Sequence, residues 1–275
     1  MDLEVVRDGA LPPIAAALLL VSLGGARLLP LAVAVGLFVA FGLLKDWNDW
    51  PTWPHELWDA PNGTMWLLWG ALAACAIALL EHLRVVPRKA GSPLAVLVAM
   101  ASVGLLLQKT ATANRWPVAD VVLHVGGGMF VVSLLAIAGR RALERAPAGI
   151  GPAILFATTL SGASVAIALS SGLLGQLCGV LAAAVGAAAG TALWRRPFAL
   201  GVADGTWLGI AHGLFVLAGV HLSSLPWSAA GCALLAPCTL LLLGPGVAKR
   251  PVGWTVSALL LAGIPLAAAV WFAAA

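Results

Sequence analysis

Apolar positions in this chain fall into long blocks almost free of charge, separated by short breaks where Pro, Gly and charged residues gather. A helix needs about 20 apolar residues to cross a hydrocarbon layer about 30 Å thick, and blocks of this kind read as membrane spans rather than amphipathic soluble elements. Dividing the chain at its breaks predicts ten spans, at 10–26, 28–44, 63–80, 92–108, 118–138, 149–169, 172–194, 199–222, 228–245 and 252–272. The first two meet at a tight Gly24-Gly25-Ala26-Arg27 corner, after which Pro30 restarts the helix, so they either cross twice or form a hairpin that turns back. Only Ser170, Ser171 and Gly172 separate the sixth from the seventh. Eight spans is the other count the pattern allows. The expectation is an all-α polytopic transmembrane helix bundle, with residues 1–275 forming a single integral membrane domain.

Composition agrees. Of 275 residues 61% are hydrophobic and 9% charged, with a mean hydropathy of +1.01, whereas a soluble domain carries about 25% charged residues. That excludes a soluble enzyme, a nucleic-acid-binding domain and a disordered chain. The lipid bilayer is the first partner expected, and nucleic acid is not one.

The few charges are informative in their order. With ten spans, the loops on one side hold Arg27; Arg84, Arg88 and Lys89; Arg140, Arg141 and Arg145; Arg195 and Arg196; Lys249 and Arg250. The other side holds Arg7, Lys45, Lys109 and Arg115. Cytoplasmic loops retain Lys and Arg, so the first set is predicted inside and both termini outside, in the cytoplasmic membrane of a bacterium. The acidic start, with Asp2, Glu4 and Asp8 around Arg7, is unlike a secretory signal peptide. Cys75, Cys178, Cys232 and Cys238 all sit in apolar spans without a CxxC pair, so neither a metal site nor a cofactor is expected from them.

Ionisable groups at membrane depth are costly and therefore functional suspects. Asp204 and His212 in span eight are eight residues apart and share one helix face, and Asp120 and His124 in span five are an i, i+4 pair. If spans five and eight touch, Asp120, His124, His212 and Asp204 form a descending polar series. Histidine titrates near neutrality and passes protons through its two ring nitrogens, so the series is a candidate pathway for a proton-linked carrier. The alternative is that each is a locally satisfied polar group.

The long loop at 45–64 is the least apolar stretch and is predicted outside. Its Trp47, Asp49, Trp50, His55, Glu56, Trp58 and Asp59 combine indole faces with acidic edges. Such a set suits a sugar or cationic headgroup, and equally a segment anchored at the interface. Span seven, with Gly175, Gly179, Ala182, Gly186 and Gly190, has the small-residue spacing that lets helices approach closely, and it is expected at the centre of the bundle.

Two resemblances bear on these residues. Ser161-Gly162-Ala163-Ser164 followed two spans later by Ala211-His212-Gly213 is similar to the serine and histidine helices of rhomboid intramembrane proteases, in which an activated serine attacks a peptide. Val165 stands where that family has Gly, and no upstream His-xxx-Asn stretch is present. The Trp-Pro-rich loop before Trp66 and the Gly-Gln-Leu-Cys-Gly-Val-Leu run of span seven resemble a family of multi-spanning membrane proteins encoded in planctomycete genomes. That resemblance implies a membrane protein and no site. Three function classes follow: a small-solute or ion carrier, a non-catalytic subunit or scaffold that packs with other membrane subunits or with its own copies, and a membrane enzyme acting on lipid or lipid-linked sugar at the Trp-rich loop.

Overall fold

The computed structural model describes residues 3–45, 63–193, 198–243 and 250–275, and every regular element among them is helical. In chain order these are α1 (Leu3–Gly24), α2 (Leu29–Lys45), α3 (Gly63–His82), α4 (Arg88–Ala113), α5 (Val118–Arg145), α6 (Gly151–Ala168), α7 (Gly172–Gly190), α8 (Val202–Ser223), α9 (Trp227–Cys238) and α10 (Pro251–Ala274). One π-helical turn, Val121–Gly126, interrupts α5. Each predicted span overlaps one helix, the ninth, read at 228–245, being α-helical only over Trp227–Cys238.

Eight of the described segments are long and apolar enough to cross a membrane, the first of them being Asp8–Leu44, which contains most of both α1 and α2. The corner read at residues 24–27 is a 3-10 turn, Gly25–Leu28, with Gly25 at φ 72°. It folds the two helices back on each other, with Gly9 against Leu44 and Gly36 pressed on the ring and backbone of Pro13. The arms have 22 and 17 residues, roughly 33 and 25 Å at 1.5 Å per residue. Helix α9 has 12 residues, followed by a four-residue 3-10 turn, and is shorter than a crossing helix.

The enclosed element is α8. Every residue from Ala203 to Gly219 is buried, and α3, α4, α5, α6, α7 and α9 all pack against it. Span seven was expected there; as α7 it packs on α6 and on the α1–α2 hairpin. The physical reason lies in the α8–α5 contact. Gly205, Gly209 and Gly213 recur every four residues and form one ridge. A Cβ on Gly205 would overlap the Gly139 carbonyl, one on Gly139 the Gly205 carbonyl, and one on Gly209 the Leu135 carbonyl. Lipid tails are as apolar as leucine, so helices in a membrane associate through such close packing rather than by expelling water.

At the periphery α10 shows the reverse. Val252, Val256, Leu260, Ile264 and Trp271 are exposed, while Ala258, Ala262, Leu266 and Ala269 are buried on the side that meets α6 and α9. Large apolar side chains outward and mainly alanines inward are what a lipid-facing helix presents. The protein is an all-α, membrane-embedded helix bundle.

Candidate functional site

Four helix ends meet at one face of the bundle. Helix α3 finishes with Glu81 and His82, adjacent in sequence and directed at different partners. Both oxygens of the Glu81 carboxylate accept from the Arg140 guanidinium in the last turns of α5, each at 3.0 Å. Arg140 Nη2 also donates to the carbonyl of Arg88 at the start of α4, at 3.1 Å. Gly91 of α4 makes room for this pair, since a Cβ there would overlap the Glu81 carboxylate. Both partners are buried, and the two-pronged geometry is the one in which a guanidinium best offsets the desolvation of both charges.

His82 turns to α8. Its Nε2 lies 3.0 Å from Asp204 Oδ1, and that oxygen also accepts from Trp207 Nε1 at 3.2 Å. Oδ2 accepts the backbone N–H of Gly201 at 2.7 Å, so Asp204 caps the first turn of its own helix. Asp204 is fully buried.

A cavity of about 500 Å³ opens onto these pairs from the basic end of the bundle. Arg27 from the α1–α2 turn, Arg84 from the α3–α4 connection, Arg88 and His82 line it together with Gly201 at the start of α8. Arg84 has a left-handed backbone, φ 61°, which reverses the chain after α3 and brings Arg84 and Arg88 to the same mouth. Among the described residues, Arg27, Arg84 and Arg88 have no ion-pair partner. Above the pairs the packing leaves only a crevice too narrow for water, running past Thr206 and Trp207 to Ile210. The Thr206 hydroxyl beside it is buried without a hydrogen-bond partner among the described residues.

Spans five and eight do touch, as α5 and α8, and their contact is among the most extensive in the bundle. The four residues read as one series nevertheless lie at separate levels. Asp204 belongs to the basic end just described. His212, two turns along α8 and about 12 Å away, is enclosed by packing: its Nε2 donates to the Ala233 carbonyl of α9 at 2.9 Å, and Nδ1 has no partner among the described residues. His124 sits in the π-helical turn at the opposite end, and Asp120 is half-buried one turn before it. No hydrogen bond joins these levels among the described residues.

At that opposite end His124 meets His221, Trp116 and Trp227. The two imidazole centroids are 5.3 Å apart, edge to face, and Trp227 stacks on His124 at 5.7 Å. Trp116 closes the group, 4.9 Å from His124 and 5.6 Å from His221. The four rings form one aromatic cluster, with Trp227 more than half exposed.

The serine–histidine pairing that a rhomboid-like reaction requires is not formed. Ser164 donates to the Gly175 carbonyl at 2.7 Å, and His212 is committed to Ala233. Among the described residues no group of three or more His, Cys, Asp or Glu side chains is placed to hold a metal. Trp47, Asp49, Trp50, His55, Glu56, Trp58 and Asp59 lie outside the described residues.

Of this site, sequence reasoning singled out Asp204 and missed Glu81, His82 and Arg140. The available signal was an acid and an imidazole side by side directly after the span read at 63–80, within one turn of its end. No protein-family model matches the chain, and no curated protein is detectably similar to it in sequence.

Proposed function

We propose that the protein is a small-solute carrier whose substrate cavity opens at the basic face and whose proton-exchanging element is the His82–Asp204 pair. One observation carries this reading: a cavity of about 500 Å³ is lined by His82, which pairs with the fully buried Asp204 at the start of the most enclosed helix. A buried pair of this kind is expensive to keep inside a membrane. Imidazole changes charge near neutral pH, so binding or losing one proton there alters the charge balance of the cavity wall. The charged groups that act on His82 are Asp204 from α8, Glu81 beside it and Arg27 from the α1–α2 turn, and Arg84 and Arg88 line the same cavity. The positive-inside rule puts this face in the cytoplasm. The crevice beside Thr206 marks the direction in which the path would continue when the bundle rearranges.

The test is proton movement in proteoliposomes loaded with a pH-sensitive dye, challenged in turn with carboxylates, phosphates, amino acids and sugars. At least one class should drive proton movement that Asp204→Asn and His82→Gln both abolish while the purified variants keep the wild-type elution profile. No movement with any class, or wild-type movement in both variants, contradicts the reading.

A second reading is favoured by a different observation. The middle of the bundle is solid, with α8 buried from Ala203 to Gly219 and His212 enclosed, as suits a non-catalytic subunit. That reading predicts stable co-purification with other membrane proteins in mild detergent, and a monomer without partners counts against it.

A further inference from the structure

We infer that the cavity at the basic face binds a phosphate-bearing anion. The inference deepens the carrier reading by naming a ligand class for the same cavity. The charges decide the sign. The acid that lines the cavity and the one behind it are both engaged: Glu81 uses its two oxygens on Arg140, and Asp204 is held by His82, Trp207 and the Gly201 amide. Neither has a free oxygen directed at a cation. Arg27, Arg84 and Arg88 remain, lining the cavity without an acidic partner among the described residues, so the groups around it carry a net positive charge whether or not His82 is protonated.

One helix start adds to this. Helix α4 begins at Arg88, which lines the cavity, and no side chain caps it, whereas the start of α8 is already capped by Asp204. The first amides of a helix lack intrahelical acceptors and its N-terminus carries a partial positive charge. An uncapped helix start and three guanidinium groups around one cavity suit a compact anion of more than one charge. Guanidinium is also the side chain whose planar fork matches phosphate oxygens. The volume lies within the 300–1,000 Å³ range of small-ligand sites, so room remains for an organic portion beyond the phosphate.

A phosphate group reaches this place from two sources, a soluble phosphate or the headgroup of an anionic lipid, since the cytoplasmic leaflet is anionic. The experiment separates them. The full-length protein is placed in nanodiscs of phosphatidylcholine alone, and binding of radiolabelled inorganic phosphate is measured with glycerol 3-phosphate as competitor. A parallel set contains phosphatidic acid. Saturable phosphate binding, displaced by glycerol 3-phosphate and weakened about tenfold by Arg84→Gln or Arg88→Gln, supports the inference with a soluble ligand. Lys89, next to Arg88 and outside the cavity lining, supplies the control, and Lys89→Gln should bind as wild type. If phosphate binds only weakly and phosphatidic acid abolishes that binding through the same two arginines, the lipid headgroup is the source. No binding of either, or binding indifferent to both arginines in variants that elute as wild type, overturns the inference. Phosphate binding without proton movement leaves this site standing and removes the carrier; proton-linked flux of an uncharged solute that survives Arg84→Gln does the opposite.

Discussion

Glu81, His82, Asp204 and Arg140 show how little a charge means until its partner is known. In sequence Arg140 is one of three arginines, with Arg141 and Arg145, and counts toward membrane orientation; in the structure it holds three chain segments together through Glu81 and the Arg88 carbonyl. Asp204 stood out in the sequence because a carboxylate at span depth has no cheap solvent. Its partner did not, because His82 is 122 residues away and only the packing of α3 on α8 brings them together. Removing one member of a buried pair leaves the other charged and unpaired, which costs about 3–5 kcal/mol. Arg140→Ala should therefore lower the thermal unfolding temperature in detergent more than the double variant Arg140→Met with Glu81→Leu. If the double variant is the less stable, the pair contributes net stability of its own and this account of it is wrong.

At the scale of elements, the helices were legible because hydrophobic blocks of membrane-crossing length have no other good solution in lipid. Which helix lies at the centre was not. The Gly- and Ala-rich run of α7 advertises close packing, yet the ridge that fixes the core is Gly205, Gly209 and Gly213 on α8, where Trp207 and His212 intervene in sequence. Spacing on one helix shows a smooth face and not the neighbour that needs it; here the neighbour is the backbone of α5 at Leu135 and Gly139. Gly209→Ala should separate α8 from α5 and destabilise the protein by about 1–3 kcal/mol, as overpacking does. Gly263→Ala on α10, where a Cβ meets nothing within 4 Å, should be neutral or slightly stabilising, since alanine is the better helix former. Thermal unfolding of the two variants side by side checks this, and equal stability would mean that α8 and α5 are not in such close contact.

Across the whole molecule, the alternation of basic loops anticipated that Arg27, Arg84, Arg88 and Arg140 share one end, and the structure gathers them around one cavity. What the alternation did not show is that this end encloses a site. Loop charges predict a face, whereas a cavity depends on how four helix ends are spaced. The polar groups of α5 and α8, read as one series, are spread over a basic end with Asp204, a packed middle with His212 and an aromatic opposite end with His124. The proposal therefore rests on Asp204 with His82, while His212 bonds the Ala233 carbonyl of α9. The most direct measurement is the pH dependence of solute-driven proton movement in proteoliposomes, compared between Asp204→Asn and His212→Gln. The account predicts a flat, low profile for Asp204→Asn and a wild-type profile for His212→Gln, whose lost hydrogen bond to Ala233 lowers stability alone. A wild-type profile for Asp204→Asn, with the pH response lost in His212→Gln, would contradict it.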